Sequence, residues 1–199
     1  MSLSFVAINC IQMENLLGVI LCGGKSKRMG SDKGLLLKDN KSWVLLLAEK
    51  MKATNLPVVL SINNKQYETY KSKISDIPLI IDGLSIDGPL GGLLSVHRSF
   101  PDKDLLLMAC DLVDMQAATI EKLLSTYSEN HTFDYYVYQQ HGFTQPFCAI
   151  YTARALTGVY RQFEDNLLKK HSLHHCFESG NTLYIPVDSE VSFTNYNSL

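Results

Sequence analysis

The sequence predicts an α/β fold, a mostly parallel mixed sheet with helices on both faces. Three observations carry this. Short apolar runs alternate along the chain with segments of helical periodicity. The runs end in turns rich in Gly and Asp, at Cys22-Gly23-Gly24, Asp82-Gly83 and Cys110-Asp111, as strands do when the chain reverses into a covering helix. One late pair of strands has His141-Gly142 between them, a hairpin signal that admits one antiparallel strand.

The elements follow in order. Residues 17–21 (LGVIL) are a short apolar run closed by two glycines, and read as a buried strand. Ser42 is a candidate N-cap for a helix whose apolar face carries Trp43, Leu46, Leu47 and Met51. Pro57 introduces a second strand over 58–62, and a third over 78–81 stops at Asp82-Gly83. The turn Gly88-Pro89-Leu90-Gly91-Gly92 leads into a helix with Leu93, Leu94 and Val96. Residues 104–109 (DLLLMA) are a fourth strand, 115–127 a helix, and 133–138 and 145–151 the strands of the hairpin. A helix over 153–170 and a strand over 183–187 complete the pass.

The 199 residues fit one domain, expected over 13–199, with 1–12 as an N-terminal extension. A net charge of −2 without blocks of like charge speaks against a nucleic-acid partner, which needs a basic face. The five cysteines, Cys10, Cys22, Cys110, Cys148 and Cys176, are scattered and contain no C-x-x-C pair. They read as reduced thiols rather than a disulfide framework or zinc site. No apolar run approaches the ~20 residues that span a bilayer, and the first twelve residues lack the features of a signal peptide. The expectation is a cytoplasmic protein with no membrane partner.

In parallel sheets ligands sit outside the carboxyl ends of the strands, where the strand order reverses. The conspicuous residues fall there. Residues 21–33, LCGGKSKRMGSDK, place a Gly-Gly turn after a buried strand and add Lys25, Lys27, Arg28 and Lys33. Glycines let a backbone approach a ligand closely, successive N–H groups can cradle phosphate oxygens, and four cations match the charge of a triphosphate. The string is neither a Walker A loop nor a G-x-G-x-x-G fingerprint. Asp111, after the fourth strand, reads as a metal ligand or as a helix N-cap. Asp82 reads as a nucleotide contact or a simple turn, and Asp87 as turn chemistry. His171, His174, His175 and Cys176 lack the H-E-x-x-H pattern, and no metal site is expected of them. Tyr135-Tyr136-Val137-Tyr138 reads as strand rather than stacking surface.

LCGGKSKRMGSDK resembles the signature of the MobA family of molybdenum cofactor guanylyltransferases, L-x-G-G-x-S-x-R-M-G-x-D-K. GPLGG at 88–92, ACD at 109–111, Gln145-Pro146 followed by CAIY, and FTNYN at 193–197 resemble later motifs of that family, in the same order. The resemblance spans about residues 17–197. It implies a Rossmann-like nucleotidyltransferase fold and a Mg²⁺-dependent reaction in which GTP and a molybdopterin-type cofactor give a guanine dinucleotide and pyrophosphate. By the same resemblance Leu21, Cys22, Gly23 and Gly24 cradle the nucleotide, and Asp82 contacts the nucleoside. Arg28 and Lys33 neutralise the triphosphate, and Asp111 holds Mg²⁺. Ser61 stands where the family often has a base-contacting Asn. Gln145, Asn195 and Asn197 fall at acceptor-binding positions. Cofactor-delivery proteins and recipient molybdoenzymes are implied partners.

The chain departs from the pattern after Asp111, where Leu112-Val113-Asp114 replaces a short residue and Pro and offers Asp114 as a further carboxylate. Two alternatives stand beside this reading. A cytidylyltransferase usually carries A-A-G where this chain has Cys22-Gly23-Gly24, and lacks GPLGG. A nucleotide-binding regulator would keep the cradle without turnover.

Overall fold

The computed structural model describes residues 14–23 and 32–194. Seven strands, β1 (Leu16–Leu21), β4 (Val58–Ile62), β5 (Leu79–Ile81), β6 (Asp104–Ala109), β7 (Tyr135–Gln140), β8 (Phe143–Tyr151) and β9 (Thr182–Pro186), form one sheet. Their order is β5-β4-β1-β6-β8-β7-β9. Within this sheet β8 runs antiparallel to its neighbours β6 and β7, while every other neighbouring pair is parallel. The expected mixed sheet with one reversed strand is what forms. Two further strands, β2 (Leu37–Lys38) and β3 (Lys41–Ser42), make a small separate hairpin.

Side chains of a strand alternate between faces, and here both faces are covered. On one, Ile20, Leu60, Ile62, Leu106 and Met108 share a core with Val44, Leu47 and Met51 of α1 (Trp43–Lys52), Tyr70 of α2 (Tyr67–Lys73), and Ile120 and Leu123 of α4 (Ala117–Glu129). On the other, Val19, Leu21, Val59, Leu105 and Leu107 share a core with Leu90, Leu93 and Leu94 of α3 (Pro89–Ser99), Leu156 of α5 (Ala153–Glu164) and Phe177 of α6 (Leu173–Ser179). Burial on two sides is why these strands read as continuous apolar runs rather than alternating ones. Tyr135, Tyr136 and Tyr138 are all buried in the sheet, as a strand reading requires.

The hairpin turn forms at His141-Gly142, both with positive φ (51° and 81°), the signature of a type I′ connection. Further along, Val137 faces Ala149 but Tyr138 faces Gln145. Pro146, Phe147 and Cys148 therefore bulge out of register, which is where a sheet tolerates Pro. Cys148 takes a left-handed φ of 69° there while fully buried.

Several expected boundaries shift. Ser42 occupies the N-cap of α1 but makes no side-chain cap bond. The helix expected over 153–170 stops at Glu164, because Asn166 turns left-handed at φ 57°, and α6 follows as a separate helix. Among the described residues no helix is long and apolar enough to cross a membrane.

The path of the chain defines one special edge. It runs outward from β1 to β4 and β5, then returns past β1 to β6. The order reverses between β1 and β6, and the crevice at their carboxyl ends is the natural ligand site of such a sheet.

Candidate active site

Parallel strand ends gather the predicted residues on that edge: Asp82 after β5, Ser61 in β4, Leu21-Cys22-Gly23 at β1 and Asp111 just beyond β6. Asp111 is not a helix cap. The next helix, α4, begins at Ala117 with Gln116 as its N-cap, which removes that alternative. Its carboxylate is nearly enclosed. Oδ2 accepts a hydrogen bond from Lys33 Nζ at 3.1 Å, and Oδ1 is buried without a hydrogen-bond partner. A buried acceptor left unmatched costs about 1–3 kcal/mol, and such exceptions usually mark a place for an ion or ligand.

The altered turn after Asp111 is firmly held. Leu112 and Val113 are buried, Lys50 Nζ donates to the Val113 carbonyl, and Asp114 forms an ion pair with Lys38 at the β2–β3 hairpin. Burial pushes the Lys50 ammonium below its usual pKa, with Asp114 opposing that shift. One oxygen of Asp114 is thus engaged by the hairpin.

On the other side of β1, Cys22 N and Gly23 N both donate to Ser61 O, at 2.8 and 3.3 Å. These two N–H groups are committed within the sheet edge, so the expectation that they cradle phosphate oxygens needs their carbonyl bond exchanged. Gly23 has no positive φ, and among the described residues a Cβ there would meet nothing closer than Asn63 N at 3.6 Å and Ile62 C at 3.9 Å, both ordinary contacts. Gly24 and Arg28 lie outside the described residues. Burial raises the Cys22 thiol well above its usual range, and the neighbouring Cys110 adds to the shift.

The GPLGG turn explains itself sterically. Gly88 takes φ 85° ahead of α3, a conformation open mainly to glycine. A Cβ on Gly92 would lie 2.8 Å from Ser61 Oγ and 2.9 Å from Leu21 Cδ2. Glycine lets α3 lie directly on the ends of β1 and β4. Ser95, one turn on and fully buried, donates to Asp82 Oδ1 at 3.1 Å and accepts from Gly83 N at 3.3 Å. Asp82 is thereby oriented from α3.

Sequence reasoning missed a second set of residues. Asp32 Oδ1 accepts from Tyr70 Oη at 2.8 Å and Gly34 N at 3.1 Å, and its Oδ2 accepts from Gln66 Nε2 at 2.5 Å. Gln66 Nε2 also donates to Cys22 O at 3.0 Å. Burial, with Cys22 and Asp32 nearby, raises the Tyr70 phenol far above its usual pKa. The local clue is the capping box from Asn63 to Gln66; the long-range partners have no sequence signal.

Toward the far end of the same edge, Gln145 pairs in register with Tyr138, whose ring packs on Phe193 at 5.3 Å. Ser192 bonds Gln116 N and Thr119 Oγ1, which seats the last described turn beside α4. Asn195 and Asn197 lie outside the described residues. The histidines do not assemble. His174 contacts Thr144 Oγ1, His175 lies 3.5 Å from Glu178, and no cluster of three metal-ligating side chains occurs among the described residues.

Comparison with known proteins adds the following. The family described as "MobA-like NTP transferase domain" matches residues 18–179. A probable molybdenum cofactor guanylyltransferase of Flavobacterium johnsoniae is 29% identical over 162 residues, covering 81% of each chain. A molybdenum cofactor biosynthesis bifunctional protein of Synechocystis sp. is 29% identical over 73% of this chain, which spans 42% of that longer protein. Among solved structures, molybdopterin-guanine dinucleotide biosynthesis protein A from Archaeoglobus fulgidus superposes with a TM-score of 0.74 at 21% identity, covering 91% of this chain and 92% of that one. The fold is that of these proteins.

Proposed function

The chain belongs to the MobA-like NTP transferase family, a family of nucleotidyltransferases, and from that premise we propose that it is a molybdenum cofactor guanylyltransferase. It transfers GMP from GTP to the terminal phosphate of a molybdopterin-type cofactor and releases pyrophosphate. The observation that carries this reading is the Asp111 carboxylate at the strand-order reversal, with one oxygen on Lys33 and the other buried and unmatched. The names borne by the relatives support the choice of GTP and acceptor.

The donor set fits Mg²⁺. A hard cation of this kind takes one or two protein carboxylates and fills its shell with phosphate oxygens and water, and Asp111 is the residue that would hold it. When bound it supplies charge to offset that developing on the transferring phosphoryl group. The protein's own residues do the remainder. The acceptor's phosphate is already ionised near neutral pH, so no general base is required. Lys33, placed against Asp111, is within reach of the same crevice and neutralises the triphosphate and the leaving pyrophosphate. Arg28 is assigned the same task, and Arg28, Lys33 and Asp111 form the catalytic set. Leu21, Cys22, Gly23, Gly24, Ser61 and Asp82 form the nucleotide side. Gln145, Asn195 and Asn197 form the acceptor side. Most of the acceleration comes from positioning and charge neutralisation.

Delivery proteins for the cofactor and recipient molybdoenzymes in the cytoplasm are the partners this reading implies. The test is direct: purified protein, molybdopterin cofactor, Mg²⁺ and either GTP or CTP. Pyrophosphate release with GTP supports the assignment. Release with CTP alone assigns the cytidylyl branch, and nucleotide binding without release assigns a regulator.

A further inference from the structure

We propose that Gln66 is a positioning residue for nucleotide binding, joining with one side-chain amide Cys22, at the end of β1, to Asp32, beside Lys33. The proposal rests on the guanylyltransferase reading above.

The geometry uses the whole amide. Nε2 donates to Cys22 O at 3.0 Å and to Asp32 Oδ2 at 2.5 Å, while Oε1 accepts from Asn63 N at 2.8 Å. Both N–H groups and one lone pair are engaged, which fixes the amide's orientation. The residue is also held through its backbone, because Asn63 Oδ1 accepts from Gln66 N at 3.2 Å. Each residue so joined leads to one assigned to the nucleotide: Cys22 to Gly23, and Asp32 to Lys33, which reaches Asp111. Asp32 is gripped from behind by Tyr70 Oη, and a Cβ on Gly34 would lie only 2.3 Å from that oxygen. Fixing the two together removes the entropy that nucleotide binding would otherwise have to spend on bringing them into place.

A cap alone does not account for this. The cap bond uses Oε1 and Asn63; the two bonds from Nε2 add nothing to the turn and go instead to Cys22 and Asp32. A purely structural Gln66 would change the melting temperature and leave nucleotide affinity in proportion.

The test pairs two variants of the full chain. Gln66→Leu keeps the bulk and deletes the amide. In Asp32→Asn the oxygen is required at Oδ1, which receives two donors, so the amide nitrogen faces Gln66 Nε2 and breaks the link with little change of shape. GTP affinity by titration, steady-state constants and melting temperature are measured together. Each variant is expected to raise the GTP Kd and KM by about tenfold or more, with the acceptor KM close to wild type; Gln66→Leu also melts somewhat earlier, because it loses the cap bond from Asn63 N, whereas Asp32→Asn keeps that bond. The double variant should be no weaker than the worse single one, because both remove one link. Wild-type GTP affinity in Gln66→Leu would overturn the proposal, as would loss of affinity only in step with loss of folding. Failure of the wild type itself to bind GTP would instead overturn the guanylyltransferase reading.

Discussion

Lys33 Nζ lies 3.1 Å from Asp111 Oδ2, and the two side chains are only 16% and 12% exposed. The pair joins the segment after β1 to the end of β6, across the crevice where the strand order reverses. Such a pair is costly to break from one side, since the remaining charge stays nearly buried. It leaves Asp111 Oδ1 available to a cation. Asp111→Asn keeps the shape and removes the charge. The variant is expected to lose Mg²⁺-dependent stimulation of GTP binding and at least about a hundredfold in kcat/KM. Parallel titrations with and without Mg²⁺ check this; a variant that still responds to the metal places the cation elsewhere.

Gly92 and Ser95 set how α3 meets the ends of β1 and β4 and how Asp82 is held. A Cβ at Gly92 overlaps Ser61 Oγ and Leu21 Cδ2, and relieving such overpacking costs about 1–3 kcal/mol. Gly92→Ala should therefore melt earlier and bind GTP more weakly. Ser95→Ala leaves Asp82 without its α3 partner at a cost of about 1 kcal/mol. Comparing GTP with free triphosphate tells whether Asp82 contacts the nucleoside, because only GTP affinity should then fall.

How much of this was legible in the sequence differs between elements. The mostly parallel sheet and its single reversed strand followed from apolar runs of strand length and from the His141-Gly142 turn; the order of the strands in the sheet did not. Asp82 and Asp111 announced themselves as acids at strand ends. The β2–β3 hairpin was missed although Asp39 and Asn40 both take positive φ (53° and 62°), because two-residue strands fall below any periodicity window. Helix α2 was missed for a similar reason: in seven residues it buries only Tyr70. The Asp32–Gln66–Tyr70 network is a matter of tertiary contact across more than thirty residues, which no local pattern encodes.

His97 carries a pH dependence whose sign can be worked out. It is buried in α3, its Nδ1 has no partner, and burial lowers its pKa below the ordinary value, with Asp102 partly opposing. The folded state keeps the imidazole neutral while the unfolded chain protonates near pH 6.5. Its contribution to stability is therefore present above about pH 6.5 and is lost as pH falls toward the lower folded pKa. Denaturant unfolding between pH 7 and pH 5 should show a steeper loss of stability for wild type than for His97→Gln. Equal slopes would exclude His97 as the source.

The four cysteines among the described residues should behave as interior residues. Cys22, Cys110, Cys148 and Cys176 are free and buried, and burial raises the Cys22 and Cys148 thiols above their usual range while Cys176 rises to about 11. Since the thiolate is the reactive form, iodoacetamide at pH 8 should leave these three unmodified until denaturant is added. Mass spectrometry of the native protein reads this directly, and rapid labelling of Cys22 would show that the end of β1 opens in solution.

The acceptor side is tested apart from the nucleotide side. Gln145 is the register partner of Tyr138, whose ring packs on Phe193, and β8 and β7 lie on the other side of β1 and β6 from β4 and β5, which carry Ser61 and lead to Asp82. Gln145→Ala should raise the acceptor KM severalfold and leave the GTP Kd unchanged. A rise in the GTP Kd instead would move Gln145 to the nucleotide.

The central claim is that this crevice binds GTP through a metal held by Asp111. Isothermal titration of the purified protein with GTP, CTP and ATP, each with and without Mg²⁺, tests it most directly. The account predicts GTP binding that is strengthened by Mg²⁺, exceeds that of CTP and ATP, and loses its metal dependence in Asp111→Asn. Binding of no nucleotide under any of these conditions would contradict it.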